Sequence, residues 1–196
     1  MKNILKEIET TYPVADIFVN GEQAWPYLRN KYFARYSTQA RVQQGEREWY
    51  TSPFTRRLRF LDPIIDELGA DKSLMLEAPF PGHYPRKHVY TRAIASSAAL
   101  GLAAWAMGIA YPVRISVENT QILEQIQATY GIDVPYIRHI RVYQAQRQLY
   151  RHMLGRLRPR ALFLTCYYGR EAAIKAAHDL GIQVIEVQHG VIGKEH

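Results

Sequence analysis

The chain has 196 residues, of which 47% are hydrophobic, and this combination is typical of a soluble globular protein that buries a sizeable core. Its formal net charge is +7, from 25 basic and 18 acidic residues. The single cysteine, Cys166, excludes an intramolecular disulfide and a cysteine-based metal site, and a lone cysteine is typical of a protein from a reducing compartment.

The first third of the chain offers two clear local signals. The apolar run 14–19 predicts a first strand that ends at Asn20 and Gly21. No helix or strand is predicted over the polar and aromatic segment 25–59 that follows. Residues 61–68 predict a helix, because Asp62 suits the N-cap and Pro63 suits the first helical position. Gly69 is expected to end that helix.

The middle of the chain contains an uncharged stretch, 93–113, that is long enough to cross a membrane. Its residues are mostly Ala, Gly and Ser with an internal Pro112, whereas membrane insertion depends on Leu, Ile and Phe. We therefore expect a packed internal helix over 91–107. Before it, 73–77 predicts a strand, and the proline-rich segment 78–88 predicts a loop.

A helix is predicted over 118–130 with Gly131 as its stop, while 111–117 is compatible with a strand or with more helix. The next segment, 137–160, contains seven arginines and no Asp or Glu, so the whole net charge of the chain arises there. Its apolar residues recur at helical spacing, which predicts a basic amphipathic helix that ends before Pro159. Arg147, Arg151 and Arg156 are its candidate contacts to anionic lipid, and a solvated arginine face is the alternative.

The last part of the chain predicts a strand–helix–strand unit. Residues 161–166 and 182–187 predict strands, and 171–180 predicts an amphipathic helix closed by Gly181. Alternation of strands and helices along the chain predicts an α/β fold, a Rossmann-like parallel sheet with helices on both faces, in a single domain over 1–196.

Ligands of such folds bind at the carboxyl ends of the parallel strands. Polar residues that follow predicted strands are therefore candidate substrate contacts, and backbone N–H groups at a helix N-terminus favour anions. The set comprises Glu77, His83, Tyr167, Tyr168, Arg170, Gln188, His189 and Gly190. Asn20 and Gly21 are expected at the same face.

Other chemical signatures are lacking in the sequence. It has neither the Gly-rich dinucleotide fingerprint nor a P-loop, and it has no Gly-x-Ser-x-Gly elbow. The seven histidines are scattered, so no metal site is expected, and the basic residues match no nucleic-acid reading motif. No signal peptide is evident.

The C-terminal segment resembles the middle of bacterial surface-polysaccharide and capsule glycosyltransferases of GT-B architecture. The resemblance is good over about 35 residues and loose over the rest of the chain, where 61–68 also looks like the N-terminal domain of that family. It is carried by Arg158-Pro159-Arg160-Ala161-Leu162-Phe163-Leu164, by Tyr167-Tyr168, by 172–181 and by Ile185-Glu186-Val187-Gln188-His189-Gly190-Val191-Ile192. In that family a Glu-x-Gln-His-Gly-Val-Ile stretch closes the N-terminal Rossmann-like domain.

The resemblance implies transfer of a sugar from a nucleotide-sugar donor to a glycan or lipid-linked glycan of the cell envelope. Because donors of this family bind mainly to a second, C-terminal domain, we expect no cofactor in this chain and no transfer by the chain alone. The chain would then be an excised half or one half of a split protein. A cytoplasmic location, with peripheral contact to the inner face of the membrane, fits this function.

Within that resemblance His189 is the candidate catalytic base, since an imidazole with a pKa near 6.5 can accept the proton of an acceptor hydroxyl. In a retaining enzyme it would instead hydrogen-bond the substrate. Gln188 would bind hydroxyls, and Gly190 would let the backbone approach the sugar. A non-catalytic module that docks on a membrane or partner, and a sugar-nucleotide epimerase, are the alternatives.

Overall fold

The structure is a computed structural model, and it shows a mixed α/β chain that folds into two compact units. Unit 1 comprises Met1–Ser52 and Val113–Tyr143, and unit 2 comprises Pro53–Pro112 and Gln144–His196. The residues described are 4–43, 64, 67–69, 71–77, 94–96, 100, 102–106, 115–164, 167 and 169–187.

Five helices and seven strands are bounded within these ranges. The helices are α1 (Ile4–Thr11), α2 (Trp25–Gln43), α3 (Thr120–Tyr130), α4 (Tyr136–Leu157) and α5 (Glu171–Asp179). The strands are β1 (Phe18–Val19), β2 (Glu22–Gln23), β3 (Met75–Glu77), β4 (Ile94–Ser96), β5 (Val117–Glu118), β6 (Ala161–Leu164) and β7 (Gln183–Glu186). A 3₁₀ turn covers Val14–Asp16. Residues 67–68 and 102–106 are also helical.

Unit 1 contains an antiparallel three-stranded sheet in the order β2-β1-β5. Asn20 and Gly21 form the two-residue turn between β1 and β2, with φ angles of 50° and 80°. Positive φ at both positions is the type I′ geometry that Asn-Gly favours in hairpins. Two hydrogen bonds of 3.0 Å join this turn to Ser116, the residue just before β5. Asn20 N–H donates to Ser116 O, and Ser116 N–H donates to Asn20 Oδ1.

The core of unit 1 is formed by the apolar faces of its helices around this sheet. Ile8 of α1, Leu28 of α2, Leu123 and Ile126 of α3, and Ile140 of α4 are almost completely buried. Burial of side chains of this size stabilises the unit by roughly 1.5–3 kcal/mol each before the entropy of ordering is subtracted.

Unit 2 contains two separate parallel pairs within the described residues, β3 with β4 and β6 with β7. The second pair has Ala161 opposite Gln183 and Leu164 opposite Glu186. The connecting helix α5 buries Ala172, Ala173, Ala176 and Ala177, and small side chains at i, i+1, i+4 and i+5 let a helix approach its neighbours closely. This is the strand–helix–strand unit that the sequence predicts.

The expectation of a mixed α/β fold is confirmed. The sheet of unit 1 is antiparallel, contrary to the expected parallel sheet, and the described strands of unit 2 form two separate parallel pairs. Two local predictions are wrong in part. Val14–Asp16 is a 3₁₀ turn, so the first strand shrinks to Phe18–Val19. The predicted helix 91–107 is helical at 102–106, but at its start Ile94–Ser96 instead pairs with Met75–Glu77, since strand pairing overrides the helix propensity of Ala.

Helix α4 is the basic helix that the sequence predicts, and its apolar side is buried at Ile140, Ala145, Tyr150 and Leu154. Among the helices that can be described, none is long and apolar enough to cross a membrane.

Candidate functional site

The candidate site lies at the carboxyl ends of β6 and β7. Val187 N–H donates to Leu164 O at 2.7 Å, which continues the parallel ladder past the end of β7. Tyr167 N–H donates to Glu186 Oε1 at 3.3 Å. These two bonds hold the loop after β6 beside the chain that leads into Gln188. The loop after β6 and the last residue of β7, which are 19 residues apart in the sequence, therefore meet at one edge of the sheet.

The loop after β6 is a tight turn that leads into α5. Arg170 N–H donates to Tyr167 O at 2.9 Å, and the φ of Gly169 is 72°, a conformation that side chains with a Cβ rarely adopt. Gly169 N–H donates to Glu171 Oε1 at 3.1 Å, across two residues. Glu171 is the first residue of α5, where an acidic side chain also interacts favourably with the helix dipole.

The electrostatics of this edge favour hydroxyl groups over phosphates as ligands. Two of its backbone donors, those of Tyr167 and Gly169, already face carboxylates of the chain itself, Glu186 and Glu171. A phosphate would have to displace these carboxylates and would be repelled by them. A carboxylate offers about four acceptor positions, so it can accept hydrogen bonds from the hydroxyls of a sugar.

The structure brings together two of the predicted substrate contacts. Tyr167 and Arg170 are half-buried residues of the β6–α5 turn. Glu77 is at the carboxyl end of the other parallel pair, in register with Ser96. The remaining substrate residues and the predicted catalytic residue lie outside the described residues, namely His83, Tyr168, Gln188, His189 and Gly190.

Asn20 and Gly21 do not contribute to a parallel strand end as expected. They form the turn of the antiparallel hairpin in unit 1, and both the amide and the side chain of Asn20 are hydrogen-bonded to Ser116. The sequence reading failed here because an Asn-Gly pair after an apolar run is equally the signature of a hairpin.

Arg147 differs from the other predicted lipid contacts, because it belongs to an internal ion-pair cluster. Its Nη2 and Nε lie 2.7 and 2.9 Å from Asp179 Oδ2, and Lys175 Nζ lies 2.9 Å from Asp179 Oδ1. Burial alone would raise the pKa of the Asp179 carboxyl group. The hydrogen bonds and charges of Lys175 and Arg147 outweigh that effect and hold its pKa below the usual value.

Arg151 and Arg156 are exposed. In the ranges that the structure covers, neither forms an ion pair, and the same holds for Arg158 and Arg160, which follow α4 and are also exposed. Of the seven arginines of this segment, Arg147 therefore joins α4 to α5, four are exposed in the last turns of α4 or just after it, and the remaining two, Arg138 and Arg141, are exposed near its start.

Glu171 and Glu186 are the functional candidates that the sequence reasoning missed. Glu171 carries a recognisable signal, since acidic residues are favoured in the first turn of a helix. Glu186 belongs to the resemblance motif, but its bond to Tyr167 depends on the pairing of β6 with β7, which no local pattern reveals.

A separate feature of unit 1 is an open groove of about 500 Å³ around the start of α4. Asp133, Tyr136, Arg138 and Arg141 contribute polar groups to it, and none of the predicted substrate residues lines it. No group of three or more potential metal ligands occurs among the residues with described positions. Comparison of the chain with protein-family models, curated proteins and solved structures finds no match.

Proposed function

We propose that the chain is the acceptor-binding half of a glycosyltransferase, in which unit 2 is the Rossmann-like part. The observation that carries the proposal is the hydrogen bonding of β6 and the loop after it to Glu186 and Val187 at the end of β7. Such an edge of a parallel α/β sheet is where ligands bind. The motif on which the family resemblance rests begins at this edge with Glu186.

The chemistry of the edge supports a sugar acceptor. Glu186 and Glu171 provide hydrogen-bond acceptors for hydroxyl groups, and the loop whose amides they bind contains an aromatic residue, Tyr167. In this proposal Gln188 and Arg170 bind acceptor hydroxyls, and Gly190 allows close approach of the backbone. His189 removes the proton of the attacking hydroxyl if the reaction inverts configuration. The nucleotide-sugar donor binds to a second domain.

The first test is a titration of the ¹⁵N-labelled chain with a panel of neutral bacterial oligosaccharides, followed by amide chemical shifts. We expect the amides of Tyr167, Gly169 and Val187 to shift. A Glu186→Ala variant, which loses the acceptor of Tyr167 N–H, should bind more weakly, while Glu118→Ala in unit 1 serves as the control. Shifts at this edge with inorganic phosphate but with no saccharide would contradict the proposal.

The second test addresses the role of His189 in an enzyme that contains both this chain and a donor domain. His189→Ala should lower turnover by about 10²- to 10⁴-fold, the usual contribution of a general base. His178, an exposed histidine of α5, provides the matched control, and His178→Ala should leave turnover unchanged. Equal turnover in the His189 variant would assign that residue a structural role.

A further inference from the structure

The carboxyl end of α4 is surrounded by exposed cationic side chains. We name this surface the basic helix end and define it by Arg151, Arg156, Leu157, Arg158 and Arg160. All five residues are exposed, and the four arginines have no acidic partner among the residues that can be described. Four unneutralised guanidinium groups within ten residues produce a local positive potential that attracts anionic surfaces.

Arg158 is held in a backbone conformation that glycine would adopt more easily. Its φ is 47°, and its N–H donates to Leu154 O at 2.8 Å, so it closes the last turn of the helix. The other described non-glycine residues at positive φ are Asn20 and Asn119, and asparagine tolerates this region better than arginine. The arginine therefore carries a conformational cost at an exposed position, where its side chain forms no ion pair with any residue that the structure describes.

Stabilisation of the helix dipole does not account for this set of arginines. Cations favour the last turn of a helix, and Arg156 alone occupies the last turn of α4. Arg151 lies six residues before the end of the helix, and Arg158 and Arg160 follow it. The four positions therefore extend over the last two turns of the helix and the residues just after it.

The burial pattern determines how this surface can meet a membrane. Tyr150 and Leu154 are buried, so the apolar side of the helix cannot enter a bilayer. Leu157 is the exception, because it is 53% exposed and lies between Arg156 and Arg158. Cationic side chains around one exposed leucine fit the interface of an anionic bilayer. A single-stranded nucleic acid would need exposed aromatic side chains for base stacking, and Tyr150 is buried.

We propose that the basic helix end docks the chain end-on to an anionic phospholipid surface, with the arginines at the headgroup phosphates and Leu157 at the interface. This inference does not depend on glycosyl transfer. It also differs from the set of lipid contacts expected from the sequence, because Arg147 is paired with Asp179 and takes no part.

The test is co-sedimentation of the full chain with vesicles of phosphatidylcholine alone or mixed with phosphatidylglycerol. We expect binding only to the mixed vesicles, with loss at high salt. Each arginine removed should weaken binding about five-fold, so that Arg156→Gln with Arg158→Gly should weaken it about 25-fold. Because glycine suits the φ of position 158, Arg158→Gly alone should bind more weakly without lowering the melting temperature.

The matched control is Arg138→Gln with Arg141→Gln, which removes the same charge from exposed positions at the other end of α4. Retained binding there, together with retained binding in Arg158→Lys, supports a local electrostatic surface. Equal losses in the two double variants would overturn the proposal, as would equal binding to both kinds of vesicle. Binding to an oligouridine RNA without binding to vesicles would assign the surface to nucleic acid instead.

Discussion

Replacing Asp179 by Ala is the sharpest test of how α5 is held against α4. Arg147 and Asp179 have side chains only 16% and 15% exposed, and the variant would leave the guanidinium group of Arg147 largely buried without its anion. Exposed ion pairs contribute about 0.2–1 kcal/mol, whereas removal of one partner of a buried pair costs about 3–5 kcal/mol. The partial exposure places the expected loss at about 2 kcal/mol, or roughly 4–8 °C in Tm for a chain of this size.

Urea unfolding followed by circular dichroism would measure this loss, with Lys175→Ala as the matched control. Lys175 is 41% exposed and contacts the same carboxylate from one helical turn away, so its removal should cost about 0.5 kcal/mol or less. Arg147→Gln should resemble Asp179→Ala, and the double variant should lose less than the sum of the single losses because the two residues interact directly.

The reasoning would be refuted if Asp179→Ala were no more harmful than Lys175→Ala, or if the effects of Arg147→Gln and Asp179→Ala simply added. It would also be refuted on the functional side if Arg147→Gln reduced vesicle binding as strongly as Arg156→Gln. The structure assigns the first arginine to folding and leaves the second free for an external partner.

Elements defined by local interactions were predictable from the sequence. Helix α3 ends at Tyr130 because Gly131 adopts a φ of 61° and donates its N–H to Gln127 O, as the glycine stop signal predicts. The strands and helix of the β6–α5–β7 unit lie within two residues of their predicted bounds. The physical cause of each boundary is present in the few residues around it.

Elements defined by distant partners were not predictable. Ile94–Ser96 carries the composition of a packed helix, but its backbone pairs with Met75–Glu77. Helix α2 was missed, although Pro26 in its first turn and the buried Trp25, Leu28 and Tyr32 at helical spacing are signals that favour a helix. These signals were obscured by the aromatic and basic residues that share the segment.

In the candidate site, too, the features set by neighbouring residues were predictable and those set by distant partners were not. The sequence places Tyr167 and Arg170 after a strand, because both lie in the same short segment as β6. It cannot reveal that the amide of Tyr167 meets Glu186, nor that Arg147 meets Asp179 across 32 residues. A count of charges treats all seven arginines of the basic segment alike, and only the packing of α5 separates Arg147 from the others.

Two further predictions concern buried polar groups. The pKa of Asp179 is lowered in the folded state. Its stabilising contribution is therefore complete above the unfolded pKa of about 3.9 and is lost as the pH falls through the folded value. In urea unfolding, Asp179→Asn should accordingly lose less stability than the unchanged chain as the pH is lowered below about 4. The phenol of Tyr32 is fully buried and has no hydrogen-bond partner in the described parts of the chain, and burial raises its pKa. Tyr32→Phe removes that unsatisfied group without changing the ring, so it should stabilise the chain by roughly 1 kcal/mol. Tyr130→Phe is the control of opposite sign, because it removes the hydrogen bond from Tyr130 Oη to Glu7 Oε1 at 3.2 Å and should destabilise by a similar amount. A loss of stability in Tyr32→Phe would show that the hydroxyl of Tyr32 is satisfied, and it would contradict the packing described for the core of unit 1.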